Sequence, residues 1–206
     1  MTAPDPASRL LPADDPRLAS SRRIGDVWAA VAPLDDPELR GSRWRIRALL
    51  ADRPEPLARH ERPGHVTGSA LVIDHRCERT LLMLHAKLAM WVQPGGHADG
   101  DANLAAVALR EAAEETGIEG LRVWPTAIDL DVHEVRPPAE GAHLHFDVRF
   151  LVMAPEDASP TGNHESRELR WVTAPDLGAL GADAGVRRLA RRGFALARDL
   201  LTRSGS

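Results

Sequence analysis

The chain of 206 residues has one cysteine, Cys77, so no intrachain disulfide can cross-link it and a disulfide-stapled scaffold is excluded. It has no tyrosine and a single lysine, Lys87, against abundant arginine and alanine, a composition that fits a GC-rich bacterial genome. Apolar runs are short, and none approaches the ~20 residues needed to span a bilayer. The stretch "MTAPDPASRLLPADDPRLAS" lacks the basic start and apolar run of a secretory signal, so the expected compartment is the cytoplasm, with no membrane partner. Basic residues are scattered and the formal net charge is −4, which argues against binding duplex nucleic acid through a basic stripe.

With 43% hydrophobic and 27% charged residues, the chain can build a core of its own, and its length suits one domain plus an extension. Residues 1–20, rich in Pro, Asp, Ala and Ser, are expected to be poorly ordered. Residues 21–62 form a helical extension in which Ile24, Val27, Trp28 and Val31 recur at helical spacing. Pro33, Pro37, Pro54 and Pro56 break it into short pieces, and it is either a simple addition or a dimerisation arm. From residue 63 to 206 the pattern changes. "HVTGSALVID" and "TLLMLHA" read as a strand pair, "WVQPGGHADGD" as a glycine-rich loop, and residues from about Ala102 to Thr116 as a helix stopped by Gly117. "LRVWPTAIDLDVHEV", "HLHFDVRFLVMA" and "ELRWVT" are further strands, and "DAGVRRLARRGFALARDLLT" is an amphipathic C-terminal helix. Interleaved strands and helices predict an α/β (α+β) class around one sheet.

The helix from Ala102 carries Glu111, Glu114 and Glu115 in one sector of about 100°. Like charges at these spacings cost only about 0.2–0.5 kcal/mol per pair, so a solvated acidic face would explain the charges alone. It does not explain the Pro94-Gly95-Gly96 turn ahead of the helix or Arg110 beside the cluster. A divalent cation accounts for all of these. Carboxylates are the hard oxygen ligands that Mg²⁺ or Mn²⁺ prefers. A Gly-Gly backbone can bring a carbonyl to the metal and leave room for a phosphate. Arg110 can hold one carboxylate with a forked hydrogen bond.

This stretch resembles the signature of the Nudix hydrolase family, G-x5-E-x7-R-E-U-x-E-E-x-G-U, where U is a bulky aliphatic residue. Gly96 opens the match, Arg110-Glu111 and Glu114-Glu115 are its charged pairs, and Gly117-Ile118 closes it. The resemblance implies an α/β/α sandwich with a mixed central sheet. It also implies metal-dependent hydrolysis of a nucleoside diphosphate linked to another moiety, with Mg²⁺ as cofactor and Mn²⁺ as an alternative. Glu111, Glu114 and Glu115 would be the metal ligands, the Gly95 or Gly96 carbonyl would join them, and Arg110 would orient the glutamates. Two positions depart from the pattern: Ala102 stands where the family has its first glutamate, and Ala112 where it has a bulky aliphatic. Asp99 or Asp101 could replace the missing carboxylate. The competing reading is a non-catalytic Nudix-like domain that senses a nucleotide or sugar-nucleotide. An isomerase-type relative would need a cysteine near the substrate, and Cys77 falls in a predicted turn.

Further candidates come from position. Glu165, on the long loop "PEDASPTGNHES", could reach over the site and activate water, or be a solvated loop charge. In "HLHFDVRF", His143, His145, Asp147 and Arg149 alternate with apolar residues and face either the cleft or solvent; His145 and Asp147 are the substrate-binding candidates. A zinc site there lacks an evident distant ligand. His97 follows the glycines directly and Lys87 precedes them, so both are candidate substrate contacts, with a surface turn as the alternative for each. Trp91 and Trp124 are read as packing residues ahead of base-stacking ones, and Arg187, Arg188, Arg191 and Arg192 as a solvated helix face ahead of one that meets an acidic partner.

Overall fold

The computed structural model describes residues 10–87, 89–137 and 141–204. Its centre is the parallel pair β2 (Gly64–Ile73) and β8 (His143–Met153), in register from Gly64 opposite Leu144 to Ile73 opposite Met153. Every residue of β2 is buried, which is why "GHVTGSALVI" is a run of small and apolar residues rather than a strict alternation. β7 (Asp129–Val135) and the short β6 (Arg122–Val123) pair antiparallel with β8, and β1 (Leu11–Pro12) extends the sheet beyond β6. On the other side, β3 (Arg79–His85) meets β2 only near the turn, at Val72 and Ile73, and then pairs with β9 (Ser166–Thr173) and β4 (Trp91–Val92). The gap this opens beside β2 is filled by β5 (Gly95–His97), paired with Thr67, Gly68 and Ser69. The glycine-rich segment expected to be a loop is therefore partly strand.

Helices cover both faces of this mixed sheet. α3 (Leu104–Thr116) starts at Asn103, whose side chain accepts from Ala106 N–H, and stops at Gly117, whose φ of 68° is left-handed and suits a residue without a Cβ. Its Leu104, Val107 and Ala108 pack with Val66, Ala70, Phe146, Val148 and Phe150 on one face. α4 (Ala184–Ser204) covers part of the other face, where Val186, Leu189, Ala190 and Phe194 meet Leu71, Ile73, Leu82 and Leu151. The α/β class with helices on either side of a mixed sheet is the expected one.

Two expectations are corrected. Residues 10–20 are held rather than loose: Leu11 is fully buried and paired with Val123, and Leu18 is buried in the main core. Residues 1–9 lie outside the described residues. The extension, with α1 (Ile24–Val31) and α2 (Arg40–Asp52), is no appendage, because Val27, Val31, Ile46 and Leu49 belong to the same core as α3 and the sheet. Arg45 donates to the Val132 carbonyl and lies over the Phe146 ring. The change at residue 63 marks a switch of element type within one packed body.

Candidate active site

α4 covers only the lower part of its sheet face. Above Leu71 and Leu151, the residues that share this face turn polar in step on three adjacent strands: His65, Thr67 and Ser69 on β2, His143, His145, Asp147 and Arg149 on β8, and Asp129, Asp131 and His133 on β7. Parallel and antiparallel register sets His145 between His65 and His133, and Asp147 between Thr67 and Asp131. This polar floor lies under a cavity of about 880 Å³.

Below the floor is a buried ion network. Arg149, 3% exposed, reaches Asp147 at 2.7 Å, Asp131 at 2.9 Å and Asp129 at 3.3 Å. Arg188 of α4 adds a 2.8 Å contact to Asp129, and Arg192 bridges Asp129 to Asp36 and Glu38 of the N-terminal region. These two arginines, expected on a solvated face, are instead internal partners of carboxylates far away in the chain. Asp147 also accepts from Thr67 Oγ1 at 2.9 Å and Ser69 Oγ at 2.7 Å. Burial works against its charge, but Arg149 and then His133 hold its carboxyl below the usual range. Its oxygens are thus largely spent on the protein, and its place on the cavity wall is that of an anchor.

The acidic wall is supplied by α3. Glu111 accepts from Arg110 at 3.0 Å, and its other oxygen lies where a Cβ on Gly96 would stand. Glu115, 3% exposed, sits behind it and accepts from the Gly95 N–H at 2.8 Å. Burial pushes Glu115 up to about 8; the Gly95 N–H opposes this, while Glu165 and Glu111 add to it. Burial also raises Glu111, against the pull of Arg110, with Glu114 and Glu165 reinforcing the rise. Among the described residues no basic side chain pairs with Glu114 or Glu115. Glu114 is exposed on the rim.

Glu165 reaches this group from the loop before β9, which is tied down at several points. Asn163 Nδ2 donates to the Glu114 carbonyl at 3.1 Å, and Asn163 Oδ1 accepts from the Glu165 N–H at 2.8 Å. Thr161 and Gly162 N–H groups donate to the Thr116 carbonyl, and Ala86 N–H to the Glu165 carbonyl. The loop expected to carry Glu165 over the site is strapped to the end of α3.

The structure brings the sequence candidates together. Gly95, Gly96, His97, Arg110, Glu111 and Glu114 line the one cavity. So do Lys87, His145, Asp147 and Glu165, and Glu115 lies directly behind the lining. Trp91 and Trp124 pack against the α4-side core, with Arg170 stacked 4.9 Å over Trp91. Cys77 is buried in the turn before β3, remote from the cavity lining, and its thiol is pushed up to about 11 by burial. Ala102 is 1% exposed and packs in the core. Neither neighbouring aspartate is committed to the glutamates: Asp101 accepts from Ser21 and Asn103 N–H groups, and Asp99 pairs with Arg59 at 2.6 Å. Sequence reasoning missed His65, Asn163 and the Asp129–Asp131 pair. A signal existed in the polar alternation shared by "HVTGS", "DLDVH" and "HLHFDVR", but only the strand pairing aligns the three.

A sheet between helices with clustered glutamates beside a diglycine strand is the architecture of a known class. The NUDIX domain model matches residues 65–192, and the chain belongs to that family. A curated relative, Phosphatase NudJ of Escherichia coli K12, is 30% identical over 115 residues, which span 55% of this chain and 65% of that protein. Less than two thirds of the relative is therefore matched. The fold is similar to that of a C. elegans Ap4A hydrolase (TM-score 0.54, 17% identity, 65% of this chain and 98% of that one). It is also similar to an E. coli dihydroneopterin triphosphate pyrophosphohydrolase (TM-score 0.51, 20% identity, 66% of this chain and 97% of that one). Among the described residues no helix is long and apolar enough to cross a membrane.

Proposed function

We propose that the chain is a Nudix-type hydrolase that cleaves the diphosphate linkage of a nucleotide-type substrate, a nucleoside diphosphate joined to a second group, with Mg²⁺ as the working cation and Mn²⁺ as a substitute. The observation that carries this reading is the crowding of Glu111, Glu115 and Glu165, where among the described residues the basic groups in contact are Arg110 on Glu111 and the exposed His164 ring 3.8 Å from Glu165; burial and this crowding leave the Glu115 carboxyl raised to about 8. Such a donor set suits a hard divalent cation, which removes the mutual repulsion. Glu111, Glu114 and Glu115 would hold it, with a backbone carbonyl of Gly95 or Gly96. When bound, the ion neutralises diphosphate charge and acidifies a coordinated water.

The chain's own groups do the positioning. Arg110 holds the Glu111 carboxylate from one side, and the Gly95 N–H selects one orientation of Glu115. Glu165, set by Asn163, is the proposed general base for the attacking water. Lys87 and His97, which line the cavity, would contact phosphate oxygens. The buried Ala102, with Asp99 and Asp101 engaged elsewhere, favours a second reading, a nucleotide-sensing domain without turnover.

The test is product release from a panel of nucleoside triphosphates, dinucleoside polyphosphates and nucleotide sugars, in Mg²⁺, in Mn²⁺ and in chelator. Metal-dependent turnover that Glu115→Gln abolishes supports the hydrolase. Tight binding without turnover across the panel supports the sensor.

A further inference from the structure

The acidic wall leaves unexplained a group of imidazoles on the cavity floor. His65 stands 5.0 Å from His97, 5.0 Å from His143 and 5.1 Å from His145, measured between ring centroids, and His143 stands 5.2 Å from His145. His65 is 0% exposed and His143 3%. No hydrogen bond of good geometry reaches either ring nitrogen of His65, Nε2 of His143 or Nε2 of His145, although the Glu61 backbone lies close to the His65 ring. Buried polar atoms are almost always partnered, so several orphaned nitrogens converging on one spot call for an occupant.

We propose that His65, His143 and His145 form a second metal site, for a late first-row divalent cation of the Zn²⁺ type, distinct from the carboxylate site on α3. Ligand nitrogens from the three rings lie within 4.8 Å of one another. At Zn–N bonds of about 2.0–2.1 Å, tetrahedral ligand nitrogens are about 3.3 Å apart, so side-chain rotations on the order of 1 Å close the set. The rings are mounted on the rigid centre of the sheet, with His65 directly opposite His145 and His143 two residues along the same strand.

The tautomer is prepared as well. The His143 Nδ1 lies 2.9 Å from the Gly141 carbonyl, which can only accept, so Nδ1 carries the proton and Nε2 presents its lone pair. His133, whose Nδ1 is engaged with Asp131 at 3.1 Å, is not among the rings whose nitrogens converge. Imidazole nitrogen selects the later transition metals, whereas Mg²⁺ prefers oxygen, so the two sites discriminate by donor type. Three protein ligands leave a coordination position, and because His143 and His145 line the cavity it faces the space between the floor and the glutamates. Water or a phosphate oxygen fits there. The alternative is a stack of neutral imidazoles that merely packs.

The deciding experiment is titration of the chelator-treated full chain with Co²⁺, in excess Mg²⁺ to occupy the carboxylate site, followed by visible absorption. The proposal expects one equivalent of Co²⁺ per chain with the visible bands of low-coordinate cobalt bound by nitrogen, displaced by Zn²⁺. The bands should vanish in His143→Ala and in His145→Ala and persist in Glu111→Gln. If His145→Ala loses its cooperative thermal transition, His145→Gln takes its place. Wild-type protein without such bands, bands that survive loss of either histidine, or bands lost in Glu111→Gln would each overturn the site.

Discussion

The backbone N–H of Gly95 and the Oε2 of Glu115 are joined by a 2.8 Å hydrogen bond, which couples the strand bearing the diglycine to the buried carboxylate of α3. The same carboxylate has burial, Glu165 and Glu111 working against its ionisation, and it is held near 8 against an ordinary value of 4.5. Because the folded value lies above the unfolded one, the folded state keeps the proton longer. Its contribution to stability is complete below pH 4.5 and is lost as pH rises through about 8. In chelator, the difference in melting temperature between wild type and Glu115→Gln should therefore widen in favour of the variant from pH 5 to pH 8. Mg²⁺ should reverse the difference at pH 8 by binding only the wild-type folded state. A flat difference curve in chelator would contradict the crowding.

The two glycines of β5 should respond differently to a methyl group. A Cβ on Gly96 would meet the Glu111 carboxylate, the mobile end of a side chain, whereas one on Gly95 would press on the Ser69 backbone 2.8 Å away. Gly96→Ala should keep the fold and lose turnover by about 10²-fold, the scale expected for an ångström-level misplacement of a reacting group. Gly95→Ala should instead lower the melting temperature, because β5 must part from β2. Steady-state kinetics and thermal melts on the same preparations separate the two effects.

Arg149 satisfies three aspartates at once, and its removal leaves Asp129 and Asp147 buried without it. Arg149→Met should cost about 3–5 kcal/mol in urea unfolding, the usual penalty for breaking a buried ion pair from one side. A loss below about 1 kcal/mol would mean that Arg188 and the Thr67 and Ser69 hydroxyls carry the charge alone.

Asn163 holds the Glu165 loop to the end of α3 through both ends of its amide. Asn163→Ala should lower stability by about 1–3 kcal/mol, the net worth of two such hydrogen bonds. Its effect on kcat should exceed its effect on KM, since Glu165 is displaced while the phosphate contacts stay. An unchanged kcat would remove Glu165 from the proposed chemistry.

What the sequence disclosed was local. Gly117 fixed the end of α3 and the expected start at about Ala102 fell two residues early, and the three glutamates followed from that helix alone. β2 and β8 were legible as apolar strands, but their mutual pairing joins residues some 80 positions apart, and no local pattern encodes it. That pairing is what brings His65 to His143 and His145. β1 is two residues long and has no period to read, so the burial of Leu11 was invisible. Arg188 and Arg192 looked solvated because their carboxylate partners, Asp129, Asp36 and Glu38, lie far back in the chain. The Asp99 and Asp101 side chains looked free to replace the motif's first glutamate until Arg59 and Ser21 were seen to occupy them.

The proposed chemistry rests on carboxylates of α3 that grip a divalent cation to hydrolyse a diphosphate. Its most direct test is turnover of a nucleoside diphosphate-type panel by wild type, Glu111→Gln and Glu115→Gln as Mg²⁺ is titrated in after chelation. Activity should rise with Mg²⁺ in the wild type and fall by on the order of 10²–10³-fold or more in both variants. Turnover in chelator, or turnover that survives both substitutions, would contradict it.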